Sequence, residues 1–311
     1  MELKHNDPST RITKKNTMAI NQQTISNLIK MLGSRESAGV IRMAKKVDAL
    51  ERKWQNEMAE HIREFTKEWM ENAAETGRLR LDFVDFVPIL MEHSRAITIA
   101  GIESTKEVRP VRAHRLAQAP KAAVPKSFRE LRVWWDAYRK RNKIPPRQLA
   151  IAERLRTAYV QKCQEVWRAN AQDFLSGITA SKTEAVQAIM KGADVVVSRG
   201  KMIVETETTH YFNEARRTVY DQSPDVTHYL FVAVRDHATT KWCKSRQGLV
   251  YAKGDPLLDK ETPPIHWNCR SELLPLTPAN PNHLRLIEDK KRSRRNNSPE
   301  KLPPEWTAKV R

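Results

Sequence analysis

Apolar residues recur every three or four positions through 36–76. Val47, Leu50, Trp54, Met58, Ile62, Phe65 and Trp69 fall on one stripe of a helix, and Lys, Glu and Arg fill the opposite face. Gly77 follows as a natural C-terminal stop. The stripe suits the core of a helical bundle, and a coiled-coil or partner seam would carry the same pattern. Upstream, 1–34 is polar and predicts a mobile arm with a short helix near Ile20–Leu32. A second apolar helix is expected within 82–102, broken by Pro88.

Residues 103–126 hold Pro110, Pro120 and Pro125 among Ala, Arg and Lys and predict a basic linker. Over 127–142, Phe128, Leu131, Trp135 and Tyr138 share one helix face, while Arg129, Arg132, Arg139, Lys140 and Arg141 lie largely elsewhere. Pro145-Pro146 ends that helix. The next runs through about 147–175, with Leu155, Tyr159, Cys163, Val166 and Phe174 at helical spacing, which makes Cys163 a buried, inert thiol. Ser181-Lys-Thr-Glu184 reads as a capping box for a helix ending at Gly192. Residues 194–220 are ambiguous: Val195–Val197 is strand-like, and Thr206 through Arg217 is helical. Val226–Val234 is the best strand. Nine of the 17 prolines lie between Pro256 and Pro304, which predicts short strands and loops there with little helix.

The expected fold is therefore α+β and mostly α. A helical N-terminal region (1–102) leads into a basic linker and helices (103–180). A small α+β domain (181–278) follows, then a basic Pro-rich tail (279–311). With 9 glycines in 311 residues the chain suits helix, and 40% apolar content rules out full disorder. No apolar run approaches the roughly 20 residues that span a membrane. The N-terminus lacks an apolar export signal, and three cysteines suggest a reducing compartment.

Charge changes the picture. The chain carries 55 Lys+Arg against 37 Asp+Glu, a net +18. Lys106–Arg147 contributes +10 and Arg285–Arg311 contributes +5, so most of the excess sits in two stretches. Such patches suit a polyanion, and without a base-reading motif the natural one is double-stranded DNA bound non-specifically. Arg139, Lys140 and Arg141 in the first stretch and Lys290, Lys291, Arg292, Arg294 and Arg295 in the second are the candidate phosphate contacts. A solvated face with counterions would look the same.

Reactive side chains concentrate at 236–271. Asp236-His237 is followed by Cys243, and His266 and Cys269 are spaced H-x2-C beside Arg270. Zinc takes about four Cys, His or carboxylate ligands. Cys243, His266 and Cys269 supply three, and His237 or Asp236 offers a fourth. Packed thiols, a disulfide and a zinc site all remain compatible with the two cysteines. An enzymatic alternative, a metal-dependent nuclease, would use His237, Cys243, His266 and Cys269. The segment has no H-E-x-x-H, Walker loop or G-x-S-x-G, so no catalytic residue is assigned.

The order Asp236…Thr239-Thr240-x-x-Cys243…Gly248, then Pro263-Pro264-x-His266-x-x-Cys269-Arg270-Ser271, resembles the signature of the phage Mu protein F-like head morphogenesis (minor capsid) proteins. Thr206-Glu207-Thr208 and Asn213 resemble the helix that usually precedes it. Some members carry cysteines where this chain has Thr240 and Ser271, so a four-cysteine zinc site cannot form here in the same way. The resemblance implies a low-copy structural protein of a tailed-phage head, without enzymatic activity. It would assemble in the host cytoplasm and reside in the virion. Its expected partners are portal and major capsid proteins and the packaged DNA, with no membrane. The cluster Asp236, Cys243, His266, Cys269 and Arg270 would then be structural.

Overall fold

The computed structural model describes residues 22–82, 84–108, 146–176, 179–234 and 236–301. Among them are eight helices: α1 (Gln22–Leu32), α2 (Ser34–Thr76), α3 (Val87–Val108), α4 (Pro146–Ser176), α5 (Thr179–Asp221), α6 (Lys241–Arg246), α7 (Pro256–Glu261) and α8 (Pro281–Glu288). Strands β1 (His228–Val232), β2 (Val250–Ala252) and β3 (Glu272–Leu276) form an antiparallel sheet in the order β2-β1-β3. The expected mostly helical α+β class holds.

Helix α5 is the axis of the molecule, and α2, α3 and α4 all pack along it. Both α2 and α5 have 43 residues, about 65 Å at 1.5 Å per residue. The stripe on α2 is bundle core: Val47, Trp54, Met58, Ile62, Phe65 and Trp69 are buried, and Leu50 packs against them. Gly77 closes α2 in the left-handed region at φ 67°, its N–H bonded to Ala73 O. Cys163 is buried as expected, and burial pushes its thiol up to about 12.

Some expectations are corrected. Pro88 starts α3 rather than breaking it, because an N–H in the first turn has no intrahelical bond to lose; Asp85 caps the turn through Val87 N. The strand-like Val195–Val197 is helical. Val196 and Val197 are buried against the bundle, and that packing overrides β propensity. Gly192 does not stop its helix, which begins at Thr179, ahead of the Ser181 box, and runs on to Asp221. The glycines mark close approaches instead. A Cβ on Gly192 would stand 3.0 Å from Val166 on α4, and one on Gly200 would stand 2.8 Å from Met58 on α2.

The expected domain boundaries cut through continuous pieces. The one at 102 falls inside α3, and the one at 180 falls in the first turn of α5. Alternation along β1 places the sheet between two cores. Leu230 and Val232 join the helical core, while Tyr229 and Phe231 face a smaller cluster that includes Cys243, Leu249, Tyr251, Leu258, Ile265 and Cys269. The expected tail is structured as far as Lys301. Asn280 caps α8, α8 packs on α1 and β3, and Ser293 bridges to Val250. The helix expected at 127–142 lies outside the described residues.

Candidate functional site

Polar residues on one face of α5 grip the loop that carries the reactive cluster. Thr206, Thr209 and Asn213 are spaced three and four apart, so they share a face. Thr206 Oγ1 accepts the Asn268 N–H at 3.0 Å, and Thr209 donates its hydroxyl to Cys269 O. The Asn213 amide donates to Ser271 O at 3.2 Å and accepts the Leu273 N–H at 3.0 Å. All three side chains are buried. Buried backbone groups need partners, and here the helix supplies them to the loop and to the start of the edge strand β3. Asn268 takes a left-handed turn at φ 56°, which asparagine tolerates.

The adjoining residues serve other contacts. Glu207 accepts two bonds from Arg147, at 2.8 and 2.7 Å, and Thr208 meets His93 Nε2 at 2.8 Å. The Thr-Glu-Thr motif is thus a node where α3, α4 and the reactive loop meet α5.

Held this way, His266 and Cys269 converge on Cys243. Cys243 Sγ lies 2.9 Å from His266 Nε2 and 3.8 Å from Cys269 Sγ, and Ser271 Oγ donates to Cys243 Sγ at 3.1 Å. Cys243 comes from the first turn of α6, whose cap Thr240 accepts the Cys243 N–H at 3.4 Å. The His266 Nδ1–H donates to Trp267 O at 2.6 Å, leaving Nε2 aimed at the sulfurs. Relative exposures are 2% for Cys243, 4% for His266 and 0% for Cys269, so the trio is closed to a substrate. Burial alone would raise the Cys269 thiol, but bonds from Cys243 and His266 hold it well below the usual range. Sharing that proton with Cys269, together with burial, raises Cys243.

Arg270 anchors the other end. Its guanidinium forms two 2.7 Å bonds to Asp236, and Asp236 Oδ1 also accepts from Ala238 N and Thr239 Oγ1. Burial works to raise the Asp236 carboxyl; the Arg270 pairing outweighs it and holds it low. Beneath Arg270 sits buried Glu205, whose carboxyl burial raises to about 7 despite Arg270.

The structure therefore brings together Asp236, Cys243, His266, Cys269 and Arg270. Within that group the metal-type donors are only Cys243, His266 and Cys269: Asp236 is committed to Arg270 and His237 is exposed, so the four-residue nuclease site loses His237. Arg139, Lys140 and Arg141 lie outside the described residues. In the tail, Lys290 and Lys291 are exposed, but the arginines have internal partners. Arg294 bonds Glu261 at 2.8 and 3.0 Å, Arg295 bonds Asp255 at 2.9 Å, and Arg292 meets Asp289 and Gly248 O. Sequence reasoning passed over Thr209, Glu205 and the carboxylate hub at Glu261. For Thr209 the signal was available, because it completes the helical spacing between Thr206 and Asn213.

Fold and site define a helical protein whose long central helix locks a small sheet unit and a buried Cys2His cluster in place. Residues 164–274 match the family model described as Phage Mu protein F like protein. The matched segment runs from within α4 to β3 and contains the grip on α5, the cluster and the Arg270–Asp236 pair. A search of curated proteins and one of solved structures found no match. Among the described residues no helix is long and apolar enough to cross a membrane.

Proposed function

We propose that this is a minor head protein of a tailed phage, acting in head morphogenesis. The observation that carries the reading is that the family match covers the whole α5–loop–cluster assembly. That assembly is built for rigidity: α5 side chains hold the loop's backbone groups, Arg270 is paired with Asp236, and the thiols are closed to solvent. Such a unit suits a fixed position in an assembly better than turnover. Association is with the portal or inner capsid, and the basic stretches contact packaged DNA through its phosphates without reading sequence.

The tail contributes less to that contact than its charge suggests. Arg294 and Arg295 neutralise Glu261 and Asp255 within the fold. Lys290 and Lys291 are left to reach DNA, alongside the 106–147 stretch. Sedimentation of particles made from the parent genome, followed by mass spectrometry, tests the reading. The protein is expected in heads at low copy. Its recovery only from the unsedimented lysate would overturn the proposal.

A further inference from the structure

We propose that Cys243, His266 and Cys269 bind one zinc ion as a structural cross-link, with its fourth position on the Ser271 side. The donor atoms of the three side chains all lie within 4.8 Å of one another and all three residues are buried. Two Zn–S bonds of about 2.3 Å at a tetrahedral angle set sulfurs about 3.8 Å apart, and Cys243 and Cys269 stand at 3.8 Å. The imidazole is already oriented as a ligand, because Trp267 O takes the Nδ1 proton and leaves the Nε2 lone pair facing the sulfurs. The ion would widen the 2.9 Å His266–Cys243 separation to about 3.5 Å, the edge expected for one Zn–N and one Zn–S bond.

Charge and size favour the ion. Two thiolates and Zn2+ make a neutral unit, which a buried site accepts more readily than a lone thiolate. The ion ties α6 to the 262–271 loop beneath a small core, where a staple adds most. Ser271 Oγ, already 3.1 Å from Cys243 Sγ, is an oxygen at hand for the remaining position.

The test uses the full-length protein purified under reducing conditions without chelator. Elemental analysis is expected to find about one zinc per chain. Cobalt added to the metal-stripped protein should give the visible bands of a tetrahedral site with thiolate charge transfer, and zinc should abolish them. Cys163→Ser should behave as the parent, Cys243→Ser should lose part of the charge-transfer band, and Ser271→Cys should strengthen it. Should Cys243→Ser fail to fold, the Ser271→Cys spectrum still decides. A parent protein with no zinc and no cobalt bands overturns the proposal, as does a Cys243–Cys269 disulfide in metal-free protein. Equal bands in the parent and Ser271→Cys would overturn the placement at Ser271. None of these readouts depends on whether the protein enters a phage head.

Discussion

Asn213 holds Ser271 and Leu273 with a single side chain, donating to the carbonyl of one at 3.2 Å and accepting the N–H of the other at 3.0 Å. The partners are 58 and 60 residues away in sequence, and all the groups are buried. The amide thus fixes where the loop leaves the cluster and enters β3. Replacing it with alanine strands a buried carbonyl and a buried N–H, and each such group costs about 1–3 kcal/mol. We expect Asn213→Ala to destabilise the protein by about 2–4 kcal/mol. Asn213→Asp keeps the acceptor but loses the donor and buries a charge, so it should not rescue. Urea unfolding checks this; a loss below about 0.5 kcal/mol, the range of ordinary surface changes, would show that the grip is dispensable.

Glu261 is the second hub. It accepts from Arg246 at 2.9 Å, Tyr251 OH at 2.8 Å and Arg294 at 2.8 and 3.0 Å. Burial works against this carboxylate, yet Arg294 and Arg246 hold its pKa below the usual value. The tail's cations therefore divide by task. Arg294→Ala should destabilise the fold by about 1–3 kcal/mol, since it removes charge-assisted bonds to a buried acid. Lys290→Ala with Lys291→Ala should leave stability within about 0.5 kcal/mol and lower the salt slope of DNA binding by about 2. Thermal melts and binding across a salt series separate the two; an unchanged slope would remove this pair from the DNA surface.

Much of the fold was legible because it is written as local periodicity. The stripe from Val47 to Trp69 is the bundle core, and the polar Thr206…Asn213 series lies where the loop docks. What was missed depends on partners far away in sequence. Gly192 reads as a helix end because the facing Val166 cannot be seen from the chain alone. Arg294 and Arg295 read as candidate phosphate contacts because nothing in their neighbourhood names Glu261 or Asp255. Convergence of Cys243 with His266 and Cys269 likewise required the turn at Asn268 and the grip from α5. Spacing supplied the donors but not their meeting.

His93 makes stability fall on the acid side. It is wholly buried, bonded to Thr208 and edge-on to Trp54, and burial lowers its pKa to about 3. In the unfolded chain the value is about 6.5. Between these values the unfolded chain holds a proton that the folded one refuses. Stability contributed by the neutral ring is thus present above about pH 6.5 and is lost as pH falls, by about 1.4 kcal/mol per unit. Glu205 acts oppositely: its carboxyl, raised to about 7, keeps a proton that the unfolded chain releases, which favours folding as pH falls from there. Comparing His93→Gln with the parent isolates the histidine. The variant is expected to start less stable at neutral pH and to lose less between about pH 6 and pH 4. Parallel profiles would show that the ring is protonated in the fold.

The glycine contacts along α5 make a prediction that helix propensity alone gets wrong. Alanine is favoured over glycine inside a helix by about 0.5–1 kcal/mol, so Gly101→Ala and Gly200→Ala should both stabilise if packing were indifferent. At Gly101 the new Cβ would stand 2.9 Å from Ala215 Cβ and 3.1 Å from Phe212 O. Both neighbours belong to α5 and neither can move without shifting that helix. Overpacking of this kind costs about 1–3 kcal/mol, and it should prevail over propensity. At Gly200 the closest atoms are Met58 Cγ at 2.8 Å and Ile62 Cδ1 at 3.1 Å. Both are side-chain rather than backbone atoms, so rotamer adjustment can relieve part of the strain. Gly101→Ala is therefore expected to lower stability by more than Gly200→Ala, by about 1 kcal/mol or more. Chemical denaturation of the two variants beside the parent reads the difference directly. If Gly101→Ala proved the more stable of the two, α3 and α5 would not approach as closely at this point as the structure places them.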